Sequence, residues 1–250
     1  MGIRRGSIST PIIADGLLFN IDAANRASYP RTGTTTFNTI NLSQSGSLIG
    51  GVFENSSSGC WNFDGVDDYL DFGQVSGGSF TSSFDPQLGS FTVNWFFKID
   101  SNTSNTGMII SKGCRNSTDI GWSSYYSDAN EKVYVRCNGN NATGQRASQS
   151  IPINEDQIYM VTMVIDRTNN VILGYLDGSN DGWIDGGGGP TDNNITGFNS
   201  IIIEKKLLMG TRSDYTLDMN GNFYLTQIYN RALSADEVLQ NYNALKNRFQ

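Results

Sequence analysis

The sequence predicts an all-β protein, a two-sheet antiparallel sandwich closed by one C-terminal α-helix, and three observations carry that prediction. Short segments in which apolar and polar residues alternate recur from residue 17 to residue 229, the period of half-buried strands. Clusters of Gly, Asn, Asp and Ser separate them, the composition of tight turns between antiparallel neighbours. Apolar residues at helical spacing occur only after residue 233.

Residues 1–15 show no period and carry Arg4, Arg5 and Pro11, so they read as an arm ahead of a sandwich spanning residues 16–249. A chain of 250 residues is within the range that sandwiches fill as one unit. Leu17-Leu18-Phe19-Asn20-Ile21-Asp22 is the first strand. Residues 26–51 form a polar loop with short strands near 37–40 and 47–49.

From Cys60 onward the strand signals become regular, at residues 61–64 and 69–72 and then 90–99. In the last of these, Phe91, Val93, Trp95 and Phe97 share one parity, opposed by Thr92, Asn94 and Phe96. Further short strands follow at 108–111, 120–126 and 132–137. A hairpin joins 158–165 to 171–176 through five polar residues, and strands at 201–203, 207–209 and 222–229 complete the set. The helix spans 234–247, with Ser234 as N-cap and Glu237 three residues on, a capping box. Leu233 and Val238 form the staple across it, and Val238, Leu239, Tyr242 and Leu245 make a stripe that packs on the sandwich.

Composition removes several function classes. The net charge is −7, and the Lys and Arg residues form no cluster able to track a phosphate backbone, which excludes nucleic acid as partner. No apolar run reaches membrane-spanning or signal-peptide length, which predicts no membrane insertion and assembly inside a cell. Cys60, Cys114 and Cys137 match no zinc spacing and read as reduced, buried thiols. The sequence has no histidine, so every mechanism that needs an imidazole is excluded.

Three segments together resemble the laminin G-like, or concanavalin A-like lectin-glucanase, jelly rolls found in tailed-bacteriophage structural proteins and in secreted bacterial proteins. Phe63-Asp64-Gly65-Val66-Asp67-Asp68-Tyr69-Leu70 is similar to the family's signature strand pair. Phe91-Thr92-Val93-Asn94-Trp95-Phe96-Phe97 is similar to its aromatic core strand. Ile228-Tyr229-Asn230-Arg231-Ala232-Leu233-Ser234-Ala235-Asp236-Glu237 resembles its closing strand and capped helix. The resemblance covers about residues 16–249 and implies two stacked antiparallel sheets. For Asp64, Asp67, Asp68 and Tyr69 it implies structural roles, with Asp-Gly setting a turn and carboxylates capping backbone donors.

Because this fold houses glycoside hydrolases, the acids matter. Glu54, Glu131, Glu155, Glu204 and Glu237 form no Glu-x-Asp-x-x-Glu strand motif, so the pair of carboxyl groups that hydrolysis requires is not predicted. The run Asp177-Gly178-Ser179-Asn180-Asp181-Gly182-Trp183-Ile184-Asp185 has a different signal. Asp177, Ser179, Asp181 and Asp185 place side-chain oxygens as in the first part of an EF-hand loop, with the Trp183 carbonyl as a further ligand, so calcium is the cation it would take. Gly188 replaces the expected bidentate Glu, leaving Asp192 or water to complete the shell. The alternative reading is a plain hairpin loop.

Aromatic rings that can stack on sugars are Trp183, Trp122, Tyr125 and Tyr126. The expected function is a noncatalytic virion structural protein of a tailed bacteriophage: a capsid decoration, neck or tail-associated sandwich. It would be present in multiple copies or as a homo-oligomer, be held to other virion proteins by its arm or loops, and contact host-surface or environmental polysaccharide. The alternative is a carbohydrate-binding module of a bacterial surface or secreted protein.

Overall fold

Phe91, Val93, Trp95 and Phe97 face one side of their strand and Phe96 the other, and all are buried, so this strand needs apolar cover on both faces. The computed structural model, which describes residues 11–56, 59–73, 84–101, 106–113, 119–139, 146–185, 193–198, 201, 205–212 and 214–249, supplies that cover with a second sheet on one face and a helix on the other.

In chain order the strands are β1 (Leu17–Asp22), β2 (Thr35–Phe37), β3 (Ser45–Ile49), β4 (Val52–Glu54), β5 (Cys60–Asp64), β6 (Tyr69–Asp71), β7 (Phe91–Ile99) and β8 (Gly107–Gly113). They continue with β9 (Gly121–Ser127), β10 (Lys132–Asn138), β11 (Arg146–Pro152), β12 (Ile158–Asp166), β13 (Val171–Leu176), β14 (Ile184–Asp185), β15 (Leu207–Met209) and β16 (Asn220–Tyr229).

Among the described residues one sheet has seven strands in the order β13-β12-β7-β16-β5-β4, with β1 paired to the second half of β16. The other has nine, in the order β14-β11-β10-β9-β8-β15-β6-β3-β2. Every pairing between these strands is antiparallel. The predicted sandwich is thus observed. β4, β11 and β14 are additions to the sequence reading. The Ser and Gln residues of β11 hide its period, although Ser148 and Ser150 are buried on one face and Ala147, Gln149 and Ile151 on the other.

The main core lies between the sheets and includes Trp61, Phe63, Trp95, Phe97, Trp122, Tyr126 and Phe223. Each such ring stabilises the fold by roughly 1.5–3 kcal/mol through burial. A second core lies on the outer face of the seven-stranded sheet, where Phe96, Met160, Val164 and Tyr224 meet Leu233 and Val238. Helix α1 (Ala235–Leu245) provides this cover. Its predicted capping box is present: Glu237 N donates to Ser234 Oγ at 3.3 Å, and Ser234 N donates to Glu237 Oε2 at 2.8 Å. The helix ends two residues earlier than predicted and passes into a 3-10 turn, Lys246–Arg248.

Residues 1–10 of the predicted arm lie outside the described residues; the rest of it is docked. Ile13 N donates to Asn241 Oδ1 at 2.8 Å, Tyr229 Oη donates to Ile13 O, and Asn241 Nδ2 donates to Tyr229 Oη. Asn241 is completely buried, and this network satisfies its amide. Cys60 and Cys137 are buried, as expected of reduced thiols, and Cys114 lies outside the described residues.

Candidate functional site

The turn after β13 begins with two residues in the left-handed region, Asp177 at φ +51° and Gly178 at φ +85°. Leu176 N donates to Ser179 O and Ser179 N to Leu176 O, which closes the turn. A Cβ on residue 178 would stand 2.9 Å from Leu239 Cδ1 and 3.2 Å from Leu239 Cα, so glycine serves here both the backbone angle and the close approach of α1.

This contact creates a cleft of about 420 Å³ on the outer face of the seven-stranded sheet. Tyr175 and Leu239 supply apolar surface, while Asp177, Ser179, Asn180 and Asp236 supply carboxylate, hydroxyl and amide groups. Asn180 is anchored through its Nδ2, which donates to Gly174 O. Burial pushes the Asp177 carboxyl above its ordinary value. An apolar floor with a few convergent polar groups is the usual composition of a small-ligand site, and the volume suits one or two sugar rings.

Three of the acids expected to hold calcium each accept a hydrogen bond. Asp177 Oδ1 accepts from Met160 N at 2.8 Å, Asp181 Oδ2 accepts from Ser179 Oγ at 3.1 Å, and Asp185 Oδ1 accepts from Gln149 Nε2 at 2.9 Å. Of the expected ligands Asp177, Ser179, Asp181, Trp183 and Asp185, the side chains of Ser179 and Asp181 lie together, while Asp177 and Asp185 each have one oxygen engaged elsewhere. Gly188 and Asp192 lie outside the described residues. Among the described residues the acids that do gather are Asp64, Asp67 and Asp68, whose oxygens lie within 4.8 Å of one another. Two of these organise the turn expected of them: Asp68 Oδ2 accepts from Asp64 N, and Asp64 Oδ1 from Val66 N. Burial, then neighbouring acids, push the Asp68 and Asp218 carboxyls upward.

The four aromatic candidates are divided by the pleat. Trp122 and Tyr126 belong to the core with no exposed surface, and Trp122 Nε1 donates to Phe84 O at 3.3 Å. Their expected role as sugar platforms is corrected: they share the inward parity of β9. Tyr125 has the opposite parity and stacks on Tyr134 on the outward face. Trp183 is half-buried against the core, over Gly174, where a Cβ would come within 2.5 Å of its ring. It supports the 177–185 loop from behind and does not line the cleft. Sequence reasoning missed Tyr175, Asp236 and Leu239, because α1 reaches the β13 turn only through the tertiary fold.

Fold and cleft together define a lectin-like β-sandwich. The sequence profile of the concanavalin A-like lectin/glucanases superfamily matches residues 64–239, and the chain belongs to that superfamily. No curated protein matches it in sequence. Similar solved structures include Trypanosoma rangeli sialidase in complex with the inhibitor DANA, at TM-score 0.66 and 14% identity over 98% of this chain and 36% of that one. The binding domain of botulinum neurotoxin serotype G matches at TM-score 0.60 and 15% identity, over 90% of this chain and 50% of that one. The binding domain of botulinum neurotoxin DC in complex with SialylT matches at TM-score 0.64 and 11% identity, over 92% and 52%. The chain therefore spans about a third of the sialidase and half of each toxin chain, and these likenesses describe its fold.

Proposed function

We propose that the protein is a noncatalytic carbohydrate-binding sandwich that takes a sugar in the cleft between the Asp177–Asn180 turn and α1. The observation that carries this reading is the cleft itself, about 420 Å³ with Tyr175 and Leu239 beneath Ser179, Asn180 and Asp236. Hydroxyls of a sugar pair with amide and carboxylate groups while its C–H faces cover apolar surface. Two of the solved neighbours are toxin binding domains, one of them in complex with SialylT, which agrees with a binding role.

The noncatalytic part rests on the absence of histidine and on the engagement of Asp177, the cleft's half-buried carboxylate, with a backbone amide. Hydrolysis of a glycosidic bond needs two carboxyl groups flanking it, and Asp236, at the exposed start of α1, does not complete such a pair with Asp177 turned to Met160.

A glycan array on the folded chain tests the proposal, followed by titration of the best ligand. Saturable binding that weakens about tenfold in Asn180→Ala and Asp236→Ala, each removing one polar contact, is the expected result. A flat array with folded protein overturns it.

The narrower reading is a multi-copy structural protein of a tailed-phage particle, anchored by residues 1–10 or by loops, and it is supported by the sequence resemblance. Proteomics of purified particles lacking this chain would remove it. No helix among the described residues is long and apolar enough to cross a membrane.

A further inference from the structure

The outward face of the nine-stranded sheet carries a cation, Arg136, that bonds to no carboxylate among the described residues. Arg136 on β10 stands directly opposite Ser123 on β9, two residues along from the Tyr134–Tyr125 pair. The two tyrosine rings lie 4.7 Å apart with their planes 2° from parallel. Arg136 Nη2 donates to Tyr125 Oη at 2.6 Å, and its guanidinium carbon is 4.7 Å from the centre of the Tyr125 ring.

A guanidinium carries five N–H donors, yet among the described residues only Arg136 Nη2 has an acceptor, and Nε is buried without one. Ser123 Oγ, on a fully buried residue of the same face, also has no partner. Three other arginines fork onto carboxylates, while Arg31, like Arg136, lies over an aromatic ring and donates to a neutral oxygen, that of Asn55. Arg212 forks onto Asp214, Arg231 onto Glu237 and Arg248 onto Asp22, while Arg167 donates to the carbonyls of Phe198 and Gln87. In a chain of net charge −7, Arg136 is held on a sheet face and, among the described residues, bonds to no carboxylate.

We propose that this face is a second binding site, for a carboxylated saccharide. Arg136 donates to the sugar's carboxylate, and the edge of the Tyr125–Tyr134 stack carries its ring. The planar fork of a guanidinium matches the two oxygens of a carboxylate, and aromatic edges suit the C–H surface of a pyranose. The site is on the opposite sheet from the cleft and does not depend on it.

Titration of the full chain with glucuronic acid and with its methyl ester, followed by protein NMR, tests the proposal. The acid is expected to bind saturably and to shift Ser123 and Tyr125 resonances, with the ester at least about tenfold weaker, the range of one charge-assisted hydrogen bond. Arg136→Gln is expected to lose a similar factor and Asn180→Ala, in the cleft, to lose none. Equal affinity for acid and ester, no binding of the acid, or shifts confined to residues 175–180 and 235–239 would each overturn it. The last comparison is made on the wild type, so it decides even where Arg136→Gln folds poorly.

Discussion

Asp177 and Met160 exchange two hydrogen bonds: Asp177 N donates to Met160 O and Met160 N donates to Asp177 Oδ1, each at 2.8 Å. The side chain thereby extends the β12–β13 ladder by one step past its last regular pair, and the same bond withdraws the carboxylate from the loop that follows.

Asp177→Ala leaves Met160 N without its acceptor and is expected to destabilise the fold by about 1–3 kcal/mol in urea denaturation. Asp177→Asn keeps an acceptor oxygen and should cost little at pH 7. Burial raises the Asp177 carboxyl above 3.8, so the folded state holds its proton more tightly than the unfolded one. Wild type is therefore expected to gain stability relative to Asp177→Asn as the pH falls from 7 towards 3.8. A constant difference across that range would contradict this account.

Glu237 responds in the opposite direction. The forked Arg231 guanidinium, with the Ser234 amide, holds its carboxyl near about 2 against an ordinary 4.5. A depressed carboxyl contributes stability that is complete above pH 4.5 and is lost as the pH falls towards 2. Because the pair sits at the rim, Glu237→Gln is expected to cost about 1–2 kcal/mol at pH 7, with the gap to wild type closing below pH 4.5 in acid melts.

Gly174→Ala would put a methyl group into the Trp183 ring, which must then lift from the core. Overpacking of this kind costs about 1–3 kcal/mol. Trp61, Trp95 and Trp122 are fully buried, so iodide quenching of tryptophan fluorescence reports mainly on Trp183. Quenching is expected to rise in the variant.

In the 177–185 loop one oxygen of Asp177 is held by Met160 N and one of Asp185 by Gln149 Nε2, which leaves calcium at most one free oxygen from each. Asp181→Asn and Asp185→Asn are therefore expected to leave any change in melting temperature between EDTA and millimolar calcium unaltered. A calcium response that disappears in either variant would restore the loop as a metal site.

Much of the architecture was legible because it is written locally. The alternation in β7 named the side chains that fill the inter-sheet core, whereas the burial of Phe96 on the other parity emerged only with the second core. The Ser234/Glu237 box needs only residues three apart and formed as read. β11 escaped because serines and a glutamine stand between its buried Ala147 and Ile151, and their fit depends on neighbours.

The sequence by itself determined most of the strands, the core face of β7, the capped helix and the exclusion of imidazole chemistry, since each depends on residue type and short-range period. Only the tertiary structure decided the site. Residues 175–180 and 235–239 form one cleft because α1 folds back onto the turn after β13, and Arg136 meets Ser123 and Tyr125 because of the register between β10 and β9. Equally, Asp177 accepts from Met160 and Asp185 from Gln149 because β12 and β11 bring those donors alongside. Spacing along a chain sets which groups can meet; the packing of distant elements sets which do.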